Sequence, residues 1–231
     1  MLKKFLFALV VCGLGSSAVA YADAVGTQET FHLTVDGCTG GCGTGSTVFG
    51  TVTITQTATG VVTVNEVLTP PAAFVGTGAG NSLIFSLNGD PNISTLTFGG
   101  LDPTLWSTGA DGKASPFADG DYFVTCDGLS CGPGASKTNP GPLNFTLTSA
   151  TGVNVSDFVP VDTCYKPTPG AACEAIWLAS DIIGPSGKTG DVGALAGTPG
   201  TTTVTPEPSS LMLLGTGALG LAGVVRRRFK R

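Results

Sequence analysis

The chain has 231 residues, seven cysteines and a net charge of −5 from sixteen acidic and eleven basic side chains. Fifteen of the acids lie between Asp23 and Asp191, where only Lys113, Lys137, Lys166 and Lys188 oppose them, leaving that stretch at −11 with no arginine. Such a surface repels phosphate backbones and excludes nucleic-acid binding, while it suits an exported protein or one that recruits cations.

The first twenty residues have the layout of a signal peptide. Met1-Leu2-Lys3-Lys4 is a charged n-region, residues 5–14 are apolar, and Ala18-Val19-Ala20 offers a signal peptidase the small-x-small pattern before Tyr21. Ala22 and Ala24 are alternative cleavage positions. Cys12 falls in the apolar stretch behind Val11, which does not fit a lipoprotein site, and it leaves with the peptide.

The body reads as strands. Residues 30–35 alternate, with Phe31, Leu33 and Val35 on one face and Thr30, His32 and Thr34 on the other. Residues 47–57 and 60–68 form a hairpin about Thr59-Gly60, and residues 81–88 and 93–98 repeat the pattern around Asn88-Gly89-Asp90-Pro91. Residues 99–119 lose periodicity and read as a long loop. Strands resume at 121–126 and 142–148, followed by a short element at 153–161 and a β-rich run at 174–183, of which residues 174–180 also suit a helical turn. Eight to ten short strands with no long helical segment predict an all-β fold, an antiparallel β-sandwich that is jelly-roll-like or Ig-like. The domain spans residues 21–194, a linker 195–205, and the tail 206–231.

Six cysteines remain in the body, in three close pairs: Cys38/Cys42, Cys126/Cys131 and Cys164/Cys173. An even number in an exported chain argues for disulfides, and neighbour pairing is the simplest of fifteen connectivities. A zinc site lacks the Cys-x2-Cys spacing and has a single histidine to draw on.

The letters of catalysis fail on context. Gly128-Leu129-Ser130-Cys131-Gly132 matches a nucleophile elbow, but Pro133-Gly134 follows where a helix must start, and His32 sits among threonines. Gly184-Pro185-Ser186-Gly187-Lys188-Thr189 resembles the end of a phosphate-binding loop, but Ile182 stands where its first glycine belongs, so the stretch is read as a turn. Asp119, Asp121 and Asp127 lie close in sequence and are candidate calcium ligands, against the default of a solvated acidic loop. Trp106 is a candidate platform for stacking a sugar ring, and Trp177 sits in an apolar run that suits core equally well. No catalytic residue and no cofactor is expected, calcium being the one candidate ion.

The tail carries the strongest signal. Pro206-Glu207-Pro208 precedes an apolar run at 211–225 and then Arg226-Arg227-Arg228-Phe229-Lys230-Arg231. As a helix the apolar run would rise roughly 22 Å, and the arginines would hold its end on the cytoplasmic side. A plain single-span anchor is one reading. Tripeptide, single hydrophobic helix and basic end in this order resemble the PEP-CTERM sorting signal. That resemblance implies an exported, membrane-anchored precursor processed by an exosortase-type transpeptidase in a Gram-negative-type envelope. The body, from Thr34-Val35-Asp36-Gly37-Cys38 to Gly190-Asp191-Val192-Gly193-Ala194, is similar to PEP-CTERM proteins of unassigned function and carries over no catalytic residues. The expected role is a non-enzymatic surface or matrix protein associated with exopolysaccharide and biofilm. A carbohydrate- or calcium-binding module is the alternative, and a polysaccharide hydrolase a third.

Overall fold

A computed structural model describes residues 23–77, 80–89, 91–128, 130–132 and 136–200. The signal peptide and the tail with its hydrophobic helix lie outside the described residues. Those described are all-β, with fifteen strands and no α-helix among them.

Alternation builds the first half. In β1 (Gln28–Asp36), Phe31 and Leu33 are buried while His32 and Thr34 face solvent. β2 (Gly50–Ala58) buries Val52, Ile54 and Gln56, and β3 (Val61–Leu68) buries Val62, Val64, Glu66 and Leu68. The two pair as the expected hairpin. Gly60 turns it at φ +71°, and a Cβ there would stand 2.9 Å from the Cα of Gly152, so two backbones meet where side chains would not fit. β4 (Ala73–Phe74), β5 (Leu83–Leu87) and β6 (Leu96–Gly99) follow, then β7 (Trp106–Gly112), β8 (Gly120–Cys126) and β9 (Leu143–Ser149). The chain ends its described part with β10 (Phe158–Val159), β11 (Asp162–Tyr165), β12 (Glu174–Ile176), β13 (Leu178–Ile183), β14 (Thr189–Ala194) and β15 (Thr198–Gly200).

Thirteen strands form one antiparallel sheet with the path β6-β9-β3-β2-β1-β14-β13-β5-β8-β7, while β11 and β12 pair separately. The sheet curls nearly into a barrel, and its two halves face each other across one core. Phe85 of β5 reaches Phe98 of β6 and Phe145 of β9, both with ring centroids 6.3 Å away. A second, smaller apolar cluster of Ile84, Ala114, Phe117, Val161, Ile176 and Ala179 covers the outer face of β5 and β13. All five residues of β5 are therefore buried, and β13 is buried from Leu178 through Ile182. A sheet covered on both faces loses its alternation.

Three segments depart from the sequence reading. The expected loop at 99–119 contains β7, which pairs with β8 from Trp106↔Cys126 to Gly112↔Gly120. Its glycines hid it: a Cβ on Gly109 would lie 2.5 Å from the Phe123 ring, so the strand needs the missing side chain. The expected linker at 195–205 contains β15, paired with β1 through Gln28↔Gly200 and Thr30↔Thr198. The run 174–183 breaks at Trp177 into β12 and β13, whose partners are β11 and β14.

The three disulfides pair neighbours, Cys38–Cys42, Cys126–Cys131 and Cys164–Cys173, with Cα separations of 5.5, 5.6 and 4.5 Å. The first two are buried and the third is exposed. Replacing Cys126 and Cys131 together by serine is expected to lower stability by about 2–4 kcal/mol, because the open loop regains entropy when unfolded and the hydroxyls sit in the core. Urea unfolding of the full chain reads the loss.

Candidate functional site

The residues singled out from sequence do not converge. Asp119 and Asp127 flank opposite ends of β8, roughly 26 Å apart at the ~3.3 Å rise of a strand. Asp119 pairs with the exposed Lys113, Asp121 Oδ2 accepts from the Leu87 amide at 3.3 Å, and Asp127 Oδ1 accepts from Ser107 Oγ at 3.3 Å. They do not form a common calcium site. Trp106 is 8% exposed and packs edge-on to Phe74 at 5.5 Å, so it belongs to the core and offers no platform to a sugar. Trp177 packs on Phe31 at 6.0 Å.

The catalytic look-alikes are also structural. Ser130 Oγ donates to the Leu105 carbonyl at 2.7 Å, and its neighbour Cys131 is in a disulfide. The stretch 184–189 is the β13–β14 turn, closed by the Gly184 amide on the Lys188 carbonyl at 2.9 Å. Asp36, Cys38 and Cys42 bring three metal-type ligand atoms within 4.8 Å of one another. The two sulfurs are bonded together, and the Asp36 carboxylate accepts from the amides of Cys38, Cys42 and Gly43 at 2.8–3.1 Å. That cluster clasps a loop.

What the sequence reading missed is a set of buried polar side chains. Gln56 lies in the core with its amide satisfied: Nε2 donates to the carbonyls of Ala58 (2.8 Å) and Val153 (3.2 Å), and Oε1 accepts from the Val155 amide (3.1 Å). Glu66 lies on the same inner face, fully buried, and only Oε1 has a partner, the hydroxyl of Ser180. Burial pushes its carboxyl up to about 8, against the smaller downward pull of Ser180.

The other buried acids sit outside the core, on the covered face of the β13–β14 hairpin. Asp181 and Asp191 are paired opposite each other in the register, and both are 0% exposed. Directly opposed residues place their Cβ atoms about 4.5–5.5 Å apart on one face of the sheet. Val75–Thr77 on one side and Gly80–Asn81 on the other run over them. The amide of Thr77 and its hydroxyl both donate to Asp181 Oδ2 (2.9 and 2.6 Å), and the Asp181 amide donates to the Asn81 carbonyl at 2.9 Å. Gly80 lies flat on Asp191: a Cβ there would stand 2.1 Å from Oδ1. Asp181 Oδ1 and both oxygens of Asp191 have no hydrogen-bond partner. Burial, and then the Asp181 charge, push the Asp191 carboxyl up to about 9; burial raises Asp181 as well, against the two Thr77 bonds.

A surface depression of about 530 Å³ opens at the end of the sheet beside Leu87, Asn88, Pro91, Thr95 and Asn154. Its walls are small polar and aliphatic side chains together with Asp157.

Comparison with known proteins adds one finding about the tail. The family description for the PEP-CTERM protein-sorting motif matches residues 204–228, a stretch that contains Pro206, Glu207, Pro208 and Arg226, Arg227 and Arg228. No curated protein matches the chain, and no solved structure does.

Proposed function

This chain carries a PEP-CTERM sorting motif and is thereby marked for export and exosortase sorting, and we propose that its β-rich body serves at the cell surface or in the extracellular matrix as a non-enzymatic component. The motif is the observation that carries the reading. Residues 1–20 are removed by signal peptidase, and the apolar run 211–225 holds the precursor in the membrane until an exosortase-type transpeptidase removes it. The envelope is of the Gram-negative type, and the body is delivered to exopolysaccharide or biofilm matrix. Three disulfides in a body without a free cysteine among the described residues suit an oxidising destination.

The test is the intact mass of the chain recovered from its native host after cells and medium are fractionated. The expected species lacks both ends and gains about six daltons on reduction, two hydrogens for each disulfide. Replacing Pro206, Glu207 and Pro208 by alanine should leave the unprocessed precursor in the membrane fraction. A natural chain that keeps residues 209–231 in the membrane would instead be a plain anchor, and the sorting reading would fall.

A further inference from the structure

We propose that Asp181 and Asp191 form a calcium site on the covered face of the β13–β14 hairpin. Two carboxyl groups opposed across a strand pair and fully buried cannot both ionise there unless a cation compensates them. No basic side chain of the described body offsets them, because Lys113, Lys137, Lys166 and Lys188 are all exposed. Three of the four carboxylate oxygens have no hydrogen-bond partner, whereas the equally buried Gln56 is satisfied on both its amide atoms. An orphaned buried acceptor is uncommon in a folded chain and points to a missing partner.

The donor set selects the ion. Every free atom is a carboxylate oxygen, the single histidine is exposed on β1, and the body cysteines are spent in disulfides. Hard oxygen donors suit calcium and give zinc or copper little to bind. Two carboxylates match the ion's double charge. Thr77 fixes one oxygen of Asp181 through two hydrogen bonds and leaves Oδ1 free, which is how an outer partner orients a ligand. Gly80 gives the Asp191 carboxylate room beneath the covering segment. The site shares no residue with Asp119, Asp121 or Asp127, and it does not depend on the sorting tail.

The experiment is calcium binding and thermal unfolding of the purified full chain in detergent at neutral pH. Elemental analysis after gel filtration in calcium should find one calcium per chain. Calcium at a hundredfold excess over its dissociation constant should raise Tm by roughly 5–10 °C relative to chelator. Asp191→Asn and Asp181→Asn should each abolish the retained calcium and the shift, while Asp119→Asn keeps both. A wild-type chain that retains no calcium and melts identically in calcium and chelator overturns the proposal, whether or not either variant folds. Retention of the ion by both folded variants overturns it equally.

Discussion

Glu66→Gln is expected to remove a large pH dependence from the stability of this protein. Glu66 is fully buried in the core, and its carboxyl titrates near 8 in the folded chain instead of near 4.5. Between those two values the folded chain holds a proton that the unfolded chain has released. Stability is therefore highest below about pH 4.5 as far as this group is concerned, falls by about 1.4 kcal/mol for each unit of rise, and levels off above pH 8. The interval of roughly 3.5 units corresponds to about 5 kcal/mol, a large share of the 5–15 kcal/mol that holds a typical domain together. Glutamine keeps an oxygen for the Ser180 hydroxyl and never ionises, so the variant avoids the loss. Asp181, Asp191 and Glu29 also titrate with raised values, but they are common to both proteins, and the difference between wild type and variant isolates Glu66. Urea unfolding at half-unit steps from pH 4.5 to 9 should show the two stabilities diverging steadily in favour of the variant. Parallel curves would mean that Glu66 is ionised in the fold and held by a partner.

The same residue marks how far sequence carries in this protein. Val62, Val64, Glu66 and Leu68 occupy successive inward positions of one alternating strand, so a buried acid was legible from period alone once the hairpin was recognised. The sorting motif and the disulfide pairs were equally local, the one a linear signal and the other set by close spacing. Proximity in sequence misled for Asp119, Asp121 and Asp127, because an extended strand of seven residues separates its ends as far as a chain can. Asp181 and Asp191 are ten positions apart and were not singled out. They meet because the turn at 184–189 folds β14 back on β13, and β14 itself hides behind Gly190 and Gly193. A Cβ on Gly193 would crowd Ile176 and Phe117 at 3.0 Å, so the cover on the outer face demands the glycine that makes the strand unrecognisable. β7 and β15 escaped for related reasons: their pairing partners, and not their own apolar pattern, place them in the sheet.

Phe85→Ala is expected to cost about 4 kcal/mol, within the range for a large aromatic removed from a packed core. Phe85 is 1% exposed on β5, and its ring lies 5.6 Å from those of Tyr122 and Phe158 and 6.3 Å from those of Phe98 and Phe145. Those four belong to β8, β10, β6 and β9, so one side chain joins both halves of the curled sheet. Truncation removes the apolar transfer energy of the ring and leaves a cavity that cannot collapse, because β5 is hydrogen-bonded to β13 and β8 on its two sides and covered on its outer face by the Ile84 cluster. Each lost kcal/mol lowers Tm by about 2–4 °C in a domain of this size, so the variant should melt roughly 8–16 °C early. Val67→Ala is the control: Val67 lies on β3 but is 50% exposed, and its truncation should change stability by no more than about 0.5 kcal/mol. Equal losses for the two would mean that the halves of the sheet do not close on Phe85. A large loss at Phe85 alone would show that β6 and β9 fold against β5, the contact on which closure of the sheet depends.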